Sequence, residues 1–271
     1  MARLLTNWMH ACLAALQFLT RLPVPVNIPF TNATVARSLV FFPVAGVTVG
    51  LLVSGGYMVM QPLLPPMTAA VLLVVLWTAF TGGLHMDGWM DTADGVLSHR
   101  PREQKLIIMK DSRVGAMGVI AGVLLLLLKV SALSELLDRP ASVEVLLLLA
   151  SIPVWSRVSM AASIPLWPLA RGAEGMAGLF AWATRGHAAA ALAMGSALLA
   201  VAYACAGVQL LQLGLFIGSG LLVSALVTVF VAGRLSKSLG GLTGDTYGAI
   251  NESVEAALLI ALLIGLKLQL I

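Results

Sequence analysis

Between Arg37 and Asp87 the chain runs for 49 residues, 38–86, without an Asp, Glu, Lys or Arg. One bilayer crossing takes about 20 apolar residues, so this stretch holds two spans, and Pro62, Pro65 and Pro66 mark the turn between them. A second uncharged run of 48 residues, 186–233, breaks near Gln209, Gln212 and Gly214 and holds two more. Segments 114–137 and 141–156, joined at Asp138-Arg139-Pro140, form another pair, and 254–271 is a short last span. Only helices and closed barrels satisfy the backbone inside lipid. The pattern therefore predicts an all-α polytopic transmembrane bundle of about seven spans, a single integral-membrane catalytic domain over 1–271. Composition removes the soluble alternative: 59% of residues are hydrophobic, 10% are charged and the mean hydropathy is +0.98, whereas a soluble domain carries about 25% charged residues.

Ahead of the first span, residues 1–22 carry Leu4, Trp8, Cys12, Ala15 and Leu19 at helical spacing, interrupted by Thr6, Asn7, His10 and Gln17. This suits an interfacial amphipathic helix. It lacks the clean apolar centre and A-x-A-like site of a signal peptide. Pro23, Pro25 and Pro29 then give an extended linker. Cys12 and Cys205 stand far apart in apolar sequence, with no spacing that suggests zinc.

Tracing the spans puts 13 of the 16 Lys and Arg residues on one side; Lys129, Arg139 and Lys267 fall toward the other. That asymmetry makes the charged side cytoplasmic. It also points to a lipid bilayer rather than nucleic acid as the partner of the basic residues. Segments 85–113, 157–187 and 234–253 are all expected on that face.

The acids mark the chemistry. Of six Asp, four fall between Asp87 and Asp111. Asp87, Asp91 and Asp94, at i, i+4 and i+7, share one helical face. Aligned carboxylates repel, so a cation belongs among them. Carboxylates without Cys favour Mg²⁺, with Mn²⁺ as a substitute, over zinc. Magnesium commonly bridges such acids to substrate phosphates, so the substrate is expected to be a phosphate or diphosphate ester. His85 is a candidate ligand or acid/base group, and His99 a weaker one. In IIMKDSRVGAMG, Lys110 and Arg113 flank Asp111, an arrangement suited to clamping phosphate beside a metal ligand. Gly115 and Gly118 suit close helix packing.

A second cluster spans 233–255, where Gly240, Gly241 and Gly244 form a turn whose amides could approach a phosphate. Asp245 follows, with Asn251, Glu252 and Glu255 downstream. Gly-Gly-Leu-x-x-Asp occurs twice, at 82–87 and 240–245, each time after an apolar run. Arg157, Arg171 and Glu174 lie on the third segment of this face, as topology anchors or anion contacts.

In order along the chain, FLTRLPVP (18–25), FFPVAGVTVG (41–50), GGLHMDGWMDTADG, IMKDSRVGAMG, PLARGAEGM and GGLTGDTYGAINE resemble the cobalamin synthase family, the adenosylcobinamide-GDP ribazoletransferases. The resemblance covers residues 17–255. It implies a multi-pass enzyme of the bacterial cytoplasmic (inner) membrane. Such an enzyme joins adenosylcobinamide-GDP to α-ribazole or its 5′-phosphate, gives adenosylcobalamin or its phosphate, and releases GMP with Mg²⁺. Carried onto this chain, Asp87, Asp91, Asp94 and Asp111 would hold metal and Lys110 and Arg113 would face the transferring phosphoryl group. Asp94 or Asp245 would take the proton, and His85, Arg157, Arg171, Gly240, Gly241, Gly244, Asn251 and Glu252 would contact substrate. A homo-oligomer, or association with other cobalamin-assembly enzymes, stays open. Met86 stands where the family is expected to carry an acid, so an acid there is not an essential ligand here. A CDP-alcohol-type phosphotransferase would need an Ala-Arg after DG-x₂ and a later G-x₃-D-x₃-D, which are absent. A prenyltransferase would need paired Asp, and a divalent-cation transporter would need acids near span centres.

Overall fold

The computed structural model describes residues 2–172 and 175–270, with side chains from Leu5 onward, so Arg3, Leu4 and Glu174 lie outside the described side chains. The amphipathic stretch forms α1 (Ala2–Leu19). It packs on the bundle through Ala11, Ala14, Ala15 and Leu19 and leaves Leu5 and Met9 exposed on its outer flank. The linker leads to α2 (Asn32–Ser38), a 3-10 turn, and α3 (Phe42–Met60). After the proline turn, α4 (Pro66–Thr81) returns. It is bent by 92° from α5 (Leu84–Leu97), the helix that carries the Asp motif. Short α6 (Arg102–Ile108) precedes α7 (Ala116–Leu137) and α8 (Val143–Leu166). A single turn, α9 (Gly175–Gly178), leads to α10 (Arg185–Cys205), α11 (Leu210–Leu239) and α12 (Gly244–Lys267).

Among the described residues, six helices or helix runs are long and apolar enough to cross a bilayer by themselves, and the bent α4–α5 pair, taken as one span, is a seventh. The chain is a multi-pass membrane protein. In α8, 72% of the apolar window is buried, against 22% in α11, so α8 is the axis of the bundle and α11 faces lipid. The sequence ends α8 at residue 156 and begins the last span at 254. In the structure α8 runs through Arg157 to Leu166, and α12 starts ten residues earlier, at Gly244. Both differences have one cause: charged residues were read as span ends, whereas here they are buried inside helices and paired.

Two glycine pairs turn the chain into the helices that carry the acids. Gly82 and Gly83 adopt left-handed φ angles of 67° and 71° between α4 and α5. The Arg21 guanidinium lies over Gly82, where a side chain would otherwise stand. Gly240, at φ 73°, ends α11 ahead of α12. The repeated Gly-Gly-Leu-x-x-Asp is thus the same local device used twice, each time placing an Asp in the first turn of the next helix.

These two helices touch at glycines. A Cβ on Gly88 of α5 would sit 2.6 Å from the Asp245 carbonyl oxygen, and one on Gly248 of α12 would sit 3.0 Å from that of His85. Small residues permit such backbone approach in membrane helices. Gly88→Val is expected to force α5 from α12 and destabilise the protein by about 1–3 kcal/mol, measured as a lowered melting temperature in detergent. Gly218→Ala, in open space on α11, should leave it unchanged. Equal melting of the two variants would contradict the tight crossing.

Candidate active site

Where α5 crosses α12, the structure gathers His85, Asp87, Gly244 and Asp245 around one pocket, with Gly88, Tyr247 and Gly248 in the same lining. Asp91 lies one turn further along α5, half-buried. Arg171, from the segment after α8, reaches this cluster. Its Nη1 lies 3.9 Å from Asp245 Oδ2, and its Nη2 donates to the Leu106 carbonyl at 2.9 Å. The Thr243 hydroxyl donates to the same Asp245 oxygen at 3.3 Å. Asp87 and Asp91 form no ion pair among the described residues.

Crowding of like charge shows in Asp91. Its charged neighbours are the carboxylates of Asp87, Asp245 and Asp94, with the Arg171 guanidinium opposing them. His85 is 2% exposed.

Asp94 sits on the same face of α5 with another task. Its two carboxylate oxygens accept from the backbone N–H groups of Gly115 and Gly118, each at 2.7 Å, capping the start of α7. Gly115 and Gly118 lack side chains because the Asp94 carboxylate occupies that space. With Trp89 Nε1 donating to the Ala121 carbonyl at 3.0 Å, the cap ties α5 to α7. Asp94 is therefore already satisfied by amides, which sets it apart from Asp87 and Asp91.

The 110–113 segment does not join the cluster. Asp111 accepts from the Arg113 side chain at 2.7 and 3.0 Å and from its backbone N–H at 3.0 Å, an exposed local pair. Arg113 holds the Asp111 carboxyl near a pKa of about 2. Asp111 is not among the charges that Asp91 feels. Lys110 is exposed at the turn after α6. The expected clamp reads as one with Asp87–Asp94 because it is near in sequence; the intervening α6 carries it away.

The expected phosphate cradle at Gly240 and Gly241 is filled by the protein itself. The amides of both glycines donate to the Ser236 carbonyl, and that of Leu242 to Pro168 O at 2.8 Å. Arg102, which the sequence reading passed over, spans the turn. Its Nε donates to Leu239 O at 2.7 Å and its Nη2 to Ala170 O at 3.1 Å.

Arg157, Asn251 and Glu252, expected as substrate contacts on the charged face, lie inside the bundle. Lys129 of α7 pairs with Glu252 at 2.5 Å and Glu255 at 2.7 Å, both on α12, and the Arg157 guanidinium of α8 binds Glu255. Asn251 Nδ2 and the Ser156 hydroxyl donate to the same Glu255 oxygen. Lys129, expected on the far side, is 4% exposed and lies over the Trp77 ring. A lone Lys within LLLLLKVSAL was the signal for this network, since an ionisable residue inside a span needs a partner. These span-interior acids are neutralised by two cations, unlike the open row of acids that an ion path needs.

No three His, Cys, Asp or Glu residues among those described converge to ligate a metal by themselves. The two unpaired carboxylates of α5 still fit a hard divalent ion, whose remaining ligands would come from substrate phosphate and water.

Comparison with known proteins gives the family. The cobalamin-5-phosphate synthase family model matches residues 11–263. The chain belongs to the cobalamin-5-phosphate synthase family. Proteins named adenosylcobinamide-GDP ribazoletransferase are similar over nearly their whole lengths. That of Brevibacillus brevis is 40% identical over 94% of this chain and 98% of its own. That of Halalkalibacterium halodurans is 37% identical over 91% and 92%, and that of Roseiflexus is 37% identical over 95% and 90%. No solved structure matches the chain. Membership makes this multi-pass protein an enzyme of cobalamin biosynthesis, so the acid-lined junction of α5 and α12 is its candidate catalytic centre.

Proposed function

We propose that the enzyme transfers the phosphoryl-linked corrinoid of adenosylcobinamide-GDP to the ribose hydroxyl of α-ribazole or its 5′-phosphate, releasing GMP at the cytoplasmic face of the bacterial inner membrane. The observation that carries this reading is the meeting of two unpaired carboxylates on α5 with Asp245 and Arg171 from other elements, in a family whose relatives bear that activity in their names. The excess of Lys and Arg at this end of the bundle supports its facing the cytoplasm.

Asp87 and Asp91 would hold Mg²⁺, which when bound would neutralise charge on the diphosphate and on the leaving GMP. Arg171, held by the Leu106 carbonyl beside Asp245, would pair with phosphate oxygens. The ribazole hydroxyl would attack the phosphorus on the corrinoid side, and the bond from that phosphorus to the bridging oxygen would break to free GMP. Asp94 is engaged by two amides, which leaves Asp245, at the pocket rim, to accept the hydroxyl proton. Gly88 and Gly248 would keep the two carboxylate sets in register, so that acid and nucleophile meet without rearrangement of the helices.

Purified protein given adenosylcobinamide-GDP, α-ribazole and Mg²⁺ should release GMP and form a corrinoid product. Asp87→Asn and Asp245→Asn should each lower kcat/KM on the order of a hundredfold or more. Asp111→Asn, on the exposed loop, should stay within a few-fold of wild type. Absence of corrinoid product under every condition would overturn the function. Undiminished turnover by Asp87→Asn at equal abundance would overturn the site.

A further inference from the structure

Helix α6 buries none of its own residues, yet it lies across the two segments that deliver Arg171 and Asp245 to the site. Met109, just past its end, joins Ala170 and Leu239 in a small apolar cluster apart from the main core. Apolar contact is non-directional, so the register of these segments is left to polar groups. Lys105 Nζ donates to the Ser238 hydroxyl at 2.8 Å near the end of α11. Arg102 reaches further, donating through Nε to the Leu239 carbonyl and through Nη2 to the Ala170 carbonyl. Leu239 ends α11 shortly before Asp245, and Ala170 directly precedes Arg171.

The bonding is returned. Arg171 Nη2 donates to the carbonyl of Leu106, one turn along α6 from Arg102, so two arginines strap the same two segments in opposite directions. A short ladder runs alongside. The Ala170 N–H donates to the Leu242 carbonyl at 2.9 Å, and the Leu242 N–H to that of Pro168 at 2.8 Å. Both glycines of the turn are bare because of this closeness. A Cβ on Gly241 would stand 2.5 Å from the Ala170 nitrogen, and one on Gly240 would stand 2.4 Å from the Arg102 guanidinium carbon. Unlike Lys129, Arg157 and Arg113, Arg102 makes no ion pair among the described residues. Its planar fork instead fixes the distance between two backbone carbonyls, a task for which lysine, a point charge on a flexible stem, is no substitute.

We propose that Arg102 is a positioning residue for the reaction. It sets the spacing between the 168–171 segment and the α11–α12 turn, and through that spacing the place of the Arg171 guanidinium, 3.9 Å from Asp245. Arg102 acts through Arg171 rather than on substrate. The inference rests on the phosphate contact given to Arg171 above and says what holds that contact in place.

The test joins turnover to backbone exchange in the full-length protein in detergent. Arg102→Ala and Arg102→Lys should each lower kcat for Mg²⁺-dependent GMP release about tenfold, since a small misplacement of a cation weakens its pairing with charge that develops in the transition state. KM for adenosylcobinamide-GDP should move about threefold or less. In an Arg171→Ala background, Arg102→Ala should cost about twofold or less, because the two residues act in series. Hydrogen–deuterium exchange at the Ala170 and Leu242 amides should quicken about tenfold in Arg102→Ala as the ladder opens locally. Ile107→Ala, on the exposed side of α6, should leave exchange and turnover unchanged. Full turnover by either Arg102 variant, or equal losses in both Arg171 backgrounds, would overturn the positioning role. Wild-type protein without turnover would sink the transfer reading instead. Faster exchange in Arg102→Ala would then still uphold the clasp, and unchanged exchange would overturn it too.

Discussion

A charge inside a membrane bundle must find its opposite, and α12 carries two acids on successive turns well below its polar end. Glu252 and Glu255 are held by Lys129 from α7 and Arg157 from α8. Breaking such a pair by removing one partner leaves an uncompensated charge, at about 3–5 kcal/mol. The network therefore fixes the rotation and depth of α12 against the two helices beside it. Once α12 is set, its first turn has only one place to be, and Asp245 and Tyr247 come with it.

From that fixed point the rest of the site assembles through short contacts. Gly248 and Gly88 let α5 lie directly on α12, Asp94 ties α5 to the start of α7, and Arg102 clasps the turn before α12. These contacts divide the labour among the aspartates. One is used up as a helix cap, one is shared with an arginine, and two on α5 stay uncompensated. The uncompensated pair is where the proposed cation would bind.

The sequence was most legible where hydrophobicity alone decides. Apolar runs located five of the seven crossings to within a few residues, α8 and α12 being the exceptions, and the proline turn and the Gln209 break fell where expected. It misled wherever a charge was taken as a mark of the surface. Arg157, Lys129 and Glu252 look like loop or edge residues in one dimension, yet each is paired with a residue on another helix, about 100 residues away in the case of Arg157 and Glu255, and Asn251 donates to Glu255 one turn along its own helix. Proximity in sequence misled in the same way for Asp111, whose motif follows that of Asp94 in the chain but does not share its site. Gly240 and Gly241 follow a phosphate-loop pattern, although their amides serve the end of α11. Gly-Gly-Leu-x-x-Asp was the exception: its repetition reflected two helix starts that pack against each other.

The central claim is that α5 supplies the cation-binding pair while α12 supplies the proton acceptor. Manganese binding followed by electron paramagnetic resonance, on protein loaded with adenosylcobinamide-GDP and no ribazole, tests it most directly. Asp87→Asn and Asp91→Asn should each weaken Mn²⁺ binding about tenfold or more, while Asp245→Asn should bind it as the wild type does and yet fail to release GMP when α-ribazole is added. Wild-type Mn²⁺ affinity in Asp87→Asn, or its loss in Asp245→Asn alone, would contradict this division.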